Sequence, residues 1–227
     1  MRIRSPRERS GSVAKHRNRA LSSNRQRIRR DHFCGVETGA IRSRVRYQND
    51  RHGANITHEE RPNITIRGIV SSRNGESGLV VQNSSDDTSI IGSAFRENAG
   101  SGVRIGSSRG PSENVTITDN RFSANRSYGL NVRLSRRVVV DNNLFHRNNE
   151  DGEATAEVVI KGVGDRTSRS IQVSENVIRC RDTSEWAVEE RTTSGPAAIV
   201  HSIVESVRAD AFETSHRAAV VRENITP

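Results

Sequence analysis

Five segments of this chain repeat one another position by position, which commits the chain to stacking copies of one small unit. With Ile69, Ser93, Asn120, Asn143 and Asn176 taken as equivalent, the repeat runs at about 23 to 33 residues. Five and three residues upstream stand Ile64 and Ile66, Thr88 and Ile90, Val115 and Ile117, Val138 and Val140, and Ile171 and Val173. Two residues downstream stand Ser71, Phe95, Phe122, Phe145 and Ile178. Asn74, Asn98, Asn125 and Asn148 follow at a fixed offset, then Gly78, Gly102, Gly129 and Gly152. A second alternating stretch comes next, as Leu79/Val81, Val103/Ile105, Leu130/Val132 and Trp186/Val188.

Alternating apolar positions mark short strands with one buried face, and Asn and Gly at fixed offsets mark the bends between them. Three strands per unit describe a coil that winds once per repeat. No coil can bury its own apolar side. Stacked in parallel at roughly 4.7–4.9 Å per layer, the Phe95, Phe122 and Phe145 column and the aliphatic columns join into one core. The pattern predicts that the bend asparagines adopt the left-handed conformation and bond through their amides to the next layer. It also puts Trp186 on an inner strand position. A β-sandwich would fit the strand lengths, but it supplies no reason for Asn and Phe to recur in phase.

The segments Asn63-Ile-Thr-Ile, Asn114-Val-Thr-Ile-Thr-Asp-Asn-Arg-Phe, Val138-Val-Val-Asp-Asn-Asn-Leu-Phe and Ser170-Ile-Gln-Val-Ser-Glu-Asn resemble the right-handed parallel β-helix repeats of the pectin-lyase-like superfamily. The resemblance covers residues 60–227. It implies an all-β, right-handed parallel β-helix of about six or seven coils. It does not imply one chemistry, because the superfamily holds lyases, hydrolases, epimerases and silent surface proteins.

The domain reading is a disordered Arg-rich segment over residues 1–30, a lead-in or cap over 31–60, and the β-helix over 61–227. Only 32% of residues are apolar and 4% aromatic, which suits a thin solenoid. The net charge of +9 is concentrated: ten arginines and Lys15 against Glu8 give residues 1–30 a charge of +10, leaving the rest at −1. Such a segment is too charged to fold alone. Nucleic acid is disfavoured as a partner except through this segment, whose bland reading is a flexible extension, and no aromatic residue interleaves with its arginines before Phe33. The strand and Asn pattern restarts at Ala219, Val221 and Asn224 and stops at Pro227, which predicts an incomplete coil or an open end covered by another subunit. Residues 189–218 fall out of strict register, with Ile199, Ile203 and Val204 forming a weaker coil. The resemblance implies an extracellular or cell-surface location. No apolar leader and no membrane span is visible, so either the protein stays inside or the start is not the biological one. Cys34 and Cys180 cannot make a disulfide framework and are read as free thiols.

In the resembled superfamily the strand after the Gly carries the ligand groove on its outward face. That implies outward positions Val80, Arg104, Asn131, Val159 and Ala187, followed by Gln82, Gly106, Arg133, Lys161 and Glu189, if an insertion occupies residues 149–157. Arg104, Asn131, Arg133, Lys161 and Glu189 are the candidate polysaccharide-binding residues. Arg104, Arg133 and Lys161 are also the candidates for catalysis, since a β-eliminating lyase needs cations on its uronate carboxylates and a basic side chain at the C5 proton. The bland alternative pairs these cations with Glu157, Asp165 or Glu189. The leading functional reading is a non-catalytic or degenerate carbohydrate-associated scaffold; the alternative is a lyase or related enzyme on an acidic polysaccharide. Hydrolysis needs two facing carboxylates, and Glu189 alone lies in these rows. Asp86-Asp87 reads as a turn. The histidines show no metal-ligand spacing, so no cofactor is expected and Ca²⁺ enters only through the resemblance. His146 is read as an outward surface residue. Six Asn-x-Ser/Thr sequons begin at Asn55, Asn63, Asn83, Asn114, Asn125 and Asn224, most of them products of the repeat.

Overall fold

A computed structural model describes residues 32–34, 38–42, 49–57, 63–108, 110–191, 197–200, 202–205, 211–214, 220–222 and 224. Among these every regular element is a strand, and all the strand ladders are parallel. Parallel pairing excludes the sandwich, which joins its neighbours antiparallel.

Three sheets run the length of the solenoid. The first contains eight strands, among them Ala54–Thr57, Leu79–Gln82, Val103–Ile105, Leu130–Arg133, Ala156–Lys161 and Trp186–Glu190. The second also contains eight, including Asn63–Arg67, Thr88–Ile91, Ser112–Thr118, Ser135–Asp141 and Arg169–Ser174. The third contains six, from Val70–Ser72 through Ala94–Arg96, Arg121–Ser123, Leu144–His146 and Val177–Arg179 to Ile203–Glu205. Residues 63–191 make about five turns. Two lead-in strands, His32–Cys34 and Thr38–Arg42, extend the first and second sheets. The stretch read as out of register pairs in step, Val173 with Ile199 and Ile178 with Val204. Residues 1–30 and most of 206–227 lie outside the described residues, and with them the readings of a basic arm and an open end.

The third-sheet strands are three residues long, and in the four from Ala94–Arg96 to Val177–Arg179 only the central residue is buried. Phe95, Phe122 and Phe145 are fully buried there and stack with ring centroids 5.4 and 4.7 Å apart. The apolar alternation of the other two sheets closes around this column in one core. Three buried phenyl rings in contact along the axis add to the strand pairing in tying neighbouring coils together.

The bends differ from expectation in one respect. The left-handed residue is the one before each inward asparagine. Gly68, Gly92, Asp119, Asn142 and Glu175 hold φ between 51° and 65° ahead of Ile69, Ser93, Asn120, Asn143 and Asn176. Arg73, Glu97, Ala124 and Arg147 do the same ahead of the second Asn column. The left-handed residue turns the chain and sends its side chain to solvent, so its identity varies. The next residue aims inward at a buried N–H that the turn leaves without a strand partner, and a short amide reaches it. Asn143 Oδ1 accepts the Asn120 N–H and Asn176 Oδ1 the Asn143 N–H, both at 2.9 Å. Asn98, Asn125 and Asn148 likewise accept the N–H groups of Asn74, Asn98 and Asn125 at 3.1–3.2 Å, with Nδ2 donating to the same oxygens.

The column of bend glycines contains Glu157 in place of Gly152. Gly129 lies hard against the Glu157 carbonyl, while Gly152 turns within the insertion at φ 71°. Trp186 is not a core residue either. It pairs with Ala156 and is half-buried, whereas Ala187 and Val188 fill the interior. The lengthened coil shifts this strand by two residues relative to the reading from sequence.

Candidate functional site

Alternation along the first sheet directs two rows of side chains away from the core. Asn55, Val80, Arg104, Asn131, Val159 and Glu189 pair in succession along the first. Thr57 with Gln82, and Arg133 with Lys161, occupy the second. Between them Gly106, at φ 78°, turns the chain out of the sheet against the Arg133 carbonyl, where a Cβ would clash. The face is therefore widest open beside Arg104 and Arg133. A cleft of about 280 Å³ lies there, lined by Gln82, Asn83, Arg104, Ser107, Ser108 and Arg133.

The cations are neighbours and not fully neutralised. Burial lowers the Arg104 pKa, Arg133 beside it lowers it further, and Glu76 partly opposes both. Arg104 donates to Gln82 Oε1 at 3.4 Å, and Gln82 donates in turn to Asn55 Oδ1 at 3.2 Å. Glu76 is shared with His52, whose Nε2 lies 2.8 Å from it, and with Arg51. The Ser77 N–H donates to His52 Nδ1, leaving Nε2 to carry the ring proton toward Glu76. Lys161 is pushed down to about 8, first by burial and then by Arg191 and Arg133, against a smaller pull from Glu189. Its Nζ sits 5.4 Å over the Tyr128 ring. A second, shallower depression lies over the third-sheet bends, but its cations are paired, Arg73 with Glu97 and Arg126 with Asp151.

Beyond Asn131 the face changes character. Val159 points outward yet is completely covered by Tyr128 and Ala154. Over this apolar plug lies a hydrogen-bonded group: Thr155 donates to Glu189, and Arg191 donates to Glu189, to Tyr128 Oη at 3.0 Å and to Thr155 Oγ1 at 3.3 Å. Tyr128, Thr155 and Arg191 were not singled out from sequence. Tyr128 had a signal, since it precedes a bend glycine where Ser77 and Ser101 stand in earlier coils. Arg191 had none, because the two-residue shift moves it onto the face.

Of the candidates, Arg104, Asn131, Arg133 and Lys161 come together on this face. Glu189 does not fall in the row of Lys161; it pairs with Val159 and is held by Arg191. Ala187 faces inward. Glu157 neutralises none of the face's cations, being fully buried and bonded to Asn148. Asp86 and Asp87 act in a turn, accepting from the Glu113 N–H and the Asn114 amide. His146 is half-buried on the third sheet, its pKa lowered by burial and then by Arg121, Arg179, Arg147 and Arg181. Asn125 is fully buried in the ladder, so its sequon cannot carry a glycan. Burial pushes the free Cys180 thiol up, out of its reactive range. Among the described residues no three His, Cys, Asp or Glu side chains gather where they could share one metal ion. No helix among them is long and apolar enough to cross a membrane.

The chain belongs to the family described as the right handed beta helix region, whose model matches residues 34–225. Among solved structures it is similar to two modules from Azotobacter vinelandii. The mannuronan C-5 epimerase AlgE6 A-module matches with a TM-score of 0.74 at 24% identity, covering 84% of this chain and 54% of that one. The AlgE4 A-module of the same activity matches with a TM-score of 0.71 at 23% identity, covering 78% and 49%. This chain thus spans about half the length of those modules. At that identity the likeness establishes the fold. No curated protein matches the chain by sequence.

Proposed function

We propose that this chain is a carbohydrate-binding β-helix whose first-sheet face holds an acidic, uronate-containing polysaccharide. The observation that carries the reading is the grouping of Arg104, Arg133 and Lys161 around an open polar cleft, with Glu189, the carboxylate that acts on Lys161, already held by Arg191. Clustered cations only partly offset by Glu76 and Glu189 favour a ligand that brings carboxylates, and planar guanidinium groups match carboxylate geometry. That the similar modules act on mannuronan supports a carbohydrate partner. Such a ligand puts the protein's work outside the cell or at its surface.

Glycoside hydrolysis at the cleft is disfavoured by its lining, which among the described residues holds no carboxylate. The neighbouring carboxylates Glu189 and Glu213 lie past the Tyr128 plug, and Glu189 is held by Arg191. Proton abstraction at a uronate C5 is the second reading, favoured by Lys161, whose lowered pKa leaves part of it neutral near pH 8.

Incubating the protein with polygalacturonate, polymannuronate and hyaluronan while following binding and unsaturated-product absorbance separates these. Binding without product supports the scaffold, and product moves the chain to the lyases. No binding to any of the three by folded protein rejects the proposal.

A further inference from the structure

We propose that the first-sheet face is a groove closed at one end, which takes the terminus of an acidic polysaccharide and not its interior. The inference rests on the binding reading above and specifies which part of the polymer the face accepts.

Arg104 in the first row and Arg133 and Lys161 in the second stand on three successive coils, so a chain bridging them advances along the solenoid axis and crosses from one row to the next. One layer past Asn131 that path meets the plug of Tyr128 and Ala154 over Val159. The plug is built to stay. Arg191 ties together Glu189, Thr155 and Tyr128, which come from three different coils. The loop that carries Ala154 and Thr155 is anchored on both sides: Asn149, fully buried, accepts the Ala154 N–H at 2.9 Å, and the Thr155 carbonyl accepts the N–H groups of Glu185 and Trp186 at 2.9 and 3.0 Å. A segment held by this many buried bonds is a wall and not a lid. Lys161 stands at its foot with its ammonium group over the Tyr128 ring, where the last carboxylate of an incoming chain would arrive.

An interior-binding groove offers a long polymer many sites, whereas a closed groove offers it one terminus. Saturation therefore distinguishes them. The full chain is titrated against whichever polyuronate of the panel it binds, at constant polymer mass, before and after cutting and sizing into shorter chains. The bound protein at saturation is expected to rise in proportion to the number of chains. Saturation that follows mass alone overturns the inference and leaves the binding proposal standing, while absence of binding overturns both. Tyr128→Ala, checked for folding by circular dichroism, is expected to abolish the dependence on chain number. If it persists in the folded variant, the limit lies elsewhere and the assignment to this wall is wrong.

Discussion

The Glu157 carboxylate ends the asparagine ladder beneath Asn148, accepting its backbone N–H at 2.9 Å and its Nδ2 at 2.5 Å. The next coil has Arg181 where the series would place another asparagine, and the inserted residues bring Glu157 into the vacated acceptor position. An amide oxygen has been replaced by a titratable one in a fully buried place.

Stability should therefore depend on pH. Burial raises the Glu157 pKa from 4.5 to about 7, against the Asn148 hydrogen bonds and the pull of Arg181. Because the folded-state value lies above the unfolded one, its stabilising contribution is complete below about pH 4.5 and lost as pH rises through about 7. The loss approaches about 3 kcal/mol, flat at higher pH. Urea unfolding midpoints at pH 5 and pH 8 measure it, and Glu157→Gln, which keeps an acceptor without the charge, is expected to flatten the difference. An unchanged difference in that variant would assign the effect to other groups.

Phe122 is the middle ring of the stacked column. Phe122→Ala opens a cavity that the rings on either side cannot fill, and it is expected to cost about 3–5 kcal/mol in urea unfolding. A cost under about 1 kcal/mol would mean the coils are not coupled through this column.

Asn125 accepts from both the backbone and the side chain of Asn98 and donates to the Phe95 carbonyl at 3.0 Å. Asn125→Ala leaves several buried polar groups without partners. The expected loss is about 2–4 kcal/mol, with amide hydrogen exchange rising first at Asn98. Protection there equal to wild type would contradict the ladder's role.

On the binding face, Arg104→Ala and Arg133→Ala are each expected to weaken polyuronate binding about tenfold, equivalent to about 1.4 kcal/mol, with stability little changed. Binding by the parent protein should also fall with ionic strength. Calorimetric titration at two salt concentrations tests both, and salt-independent binding would point to a neutral sugar.

Lys161 gives that binding its own pH dependence. Its ammonium is charged below about pH 8 and neutral above, so affinity should decline as pH rises through that value. Lys161→Arg keeps the charge and is expected to hold affinity level from pH 7 to pH 9, which a pH series of titrations reads directly.

The coils, the Phe column and the two asparagine columns were legible because each recurs at an offset set by the coil itself. Three features of the repeat were misread for local reasons. The left-handed conformation falls on the residue before each asparagine, whose side chain faces solvent and so varies from Gly68 to Glu175 without a trace in the pattern. Gly152 has the right spacing for the bend column but sits in the inserted loop, and Trp186 was displaced by the same insertion.

The chain's own periodicity determined that it winds as a parallel β-helix, which side chains of the regular coils enter the core, and that Arg104, Arg133 and Lys161 share a face, because strand alternation and stacking act through short, repeated separations. Only the tertiary structure decided that Glu157 turns inward, that Glu189 belongs to Arg191, and that Tyr128 covers Val159. Those outcomes depend on how one unrepeated loop packs and on partners as far apart as Arg191 and Tyr128, 63 residues distant. No periodic pattern encodes such a contact, because it occurs once.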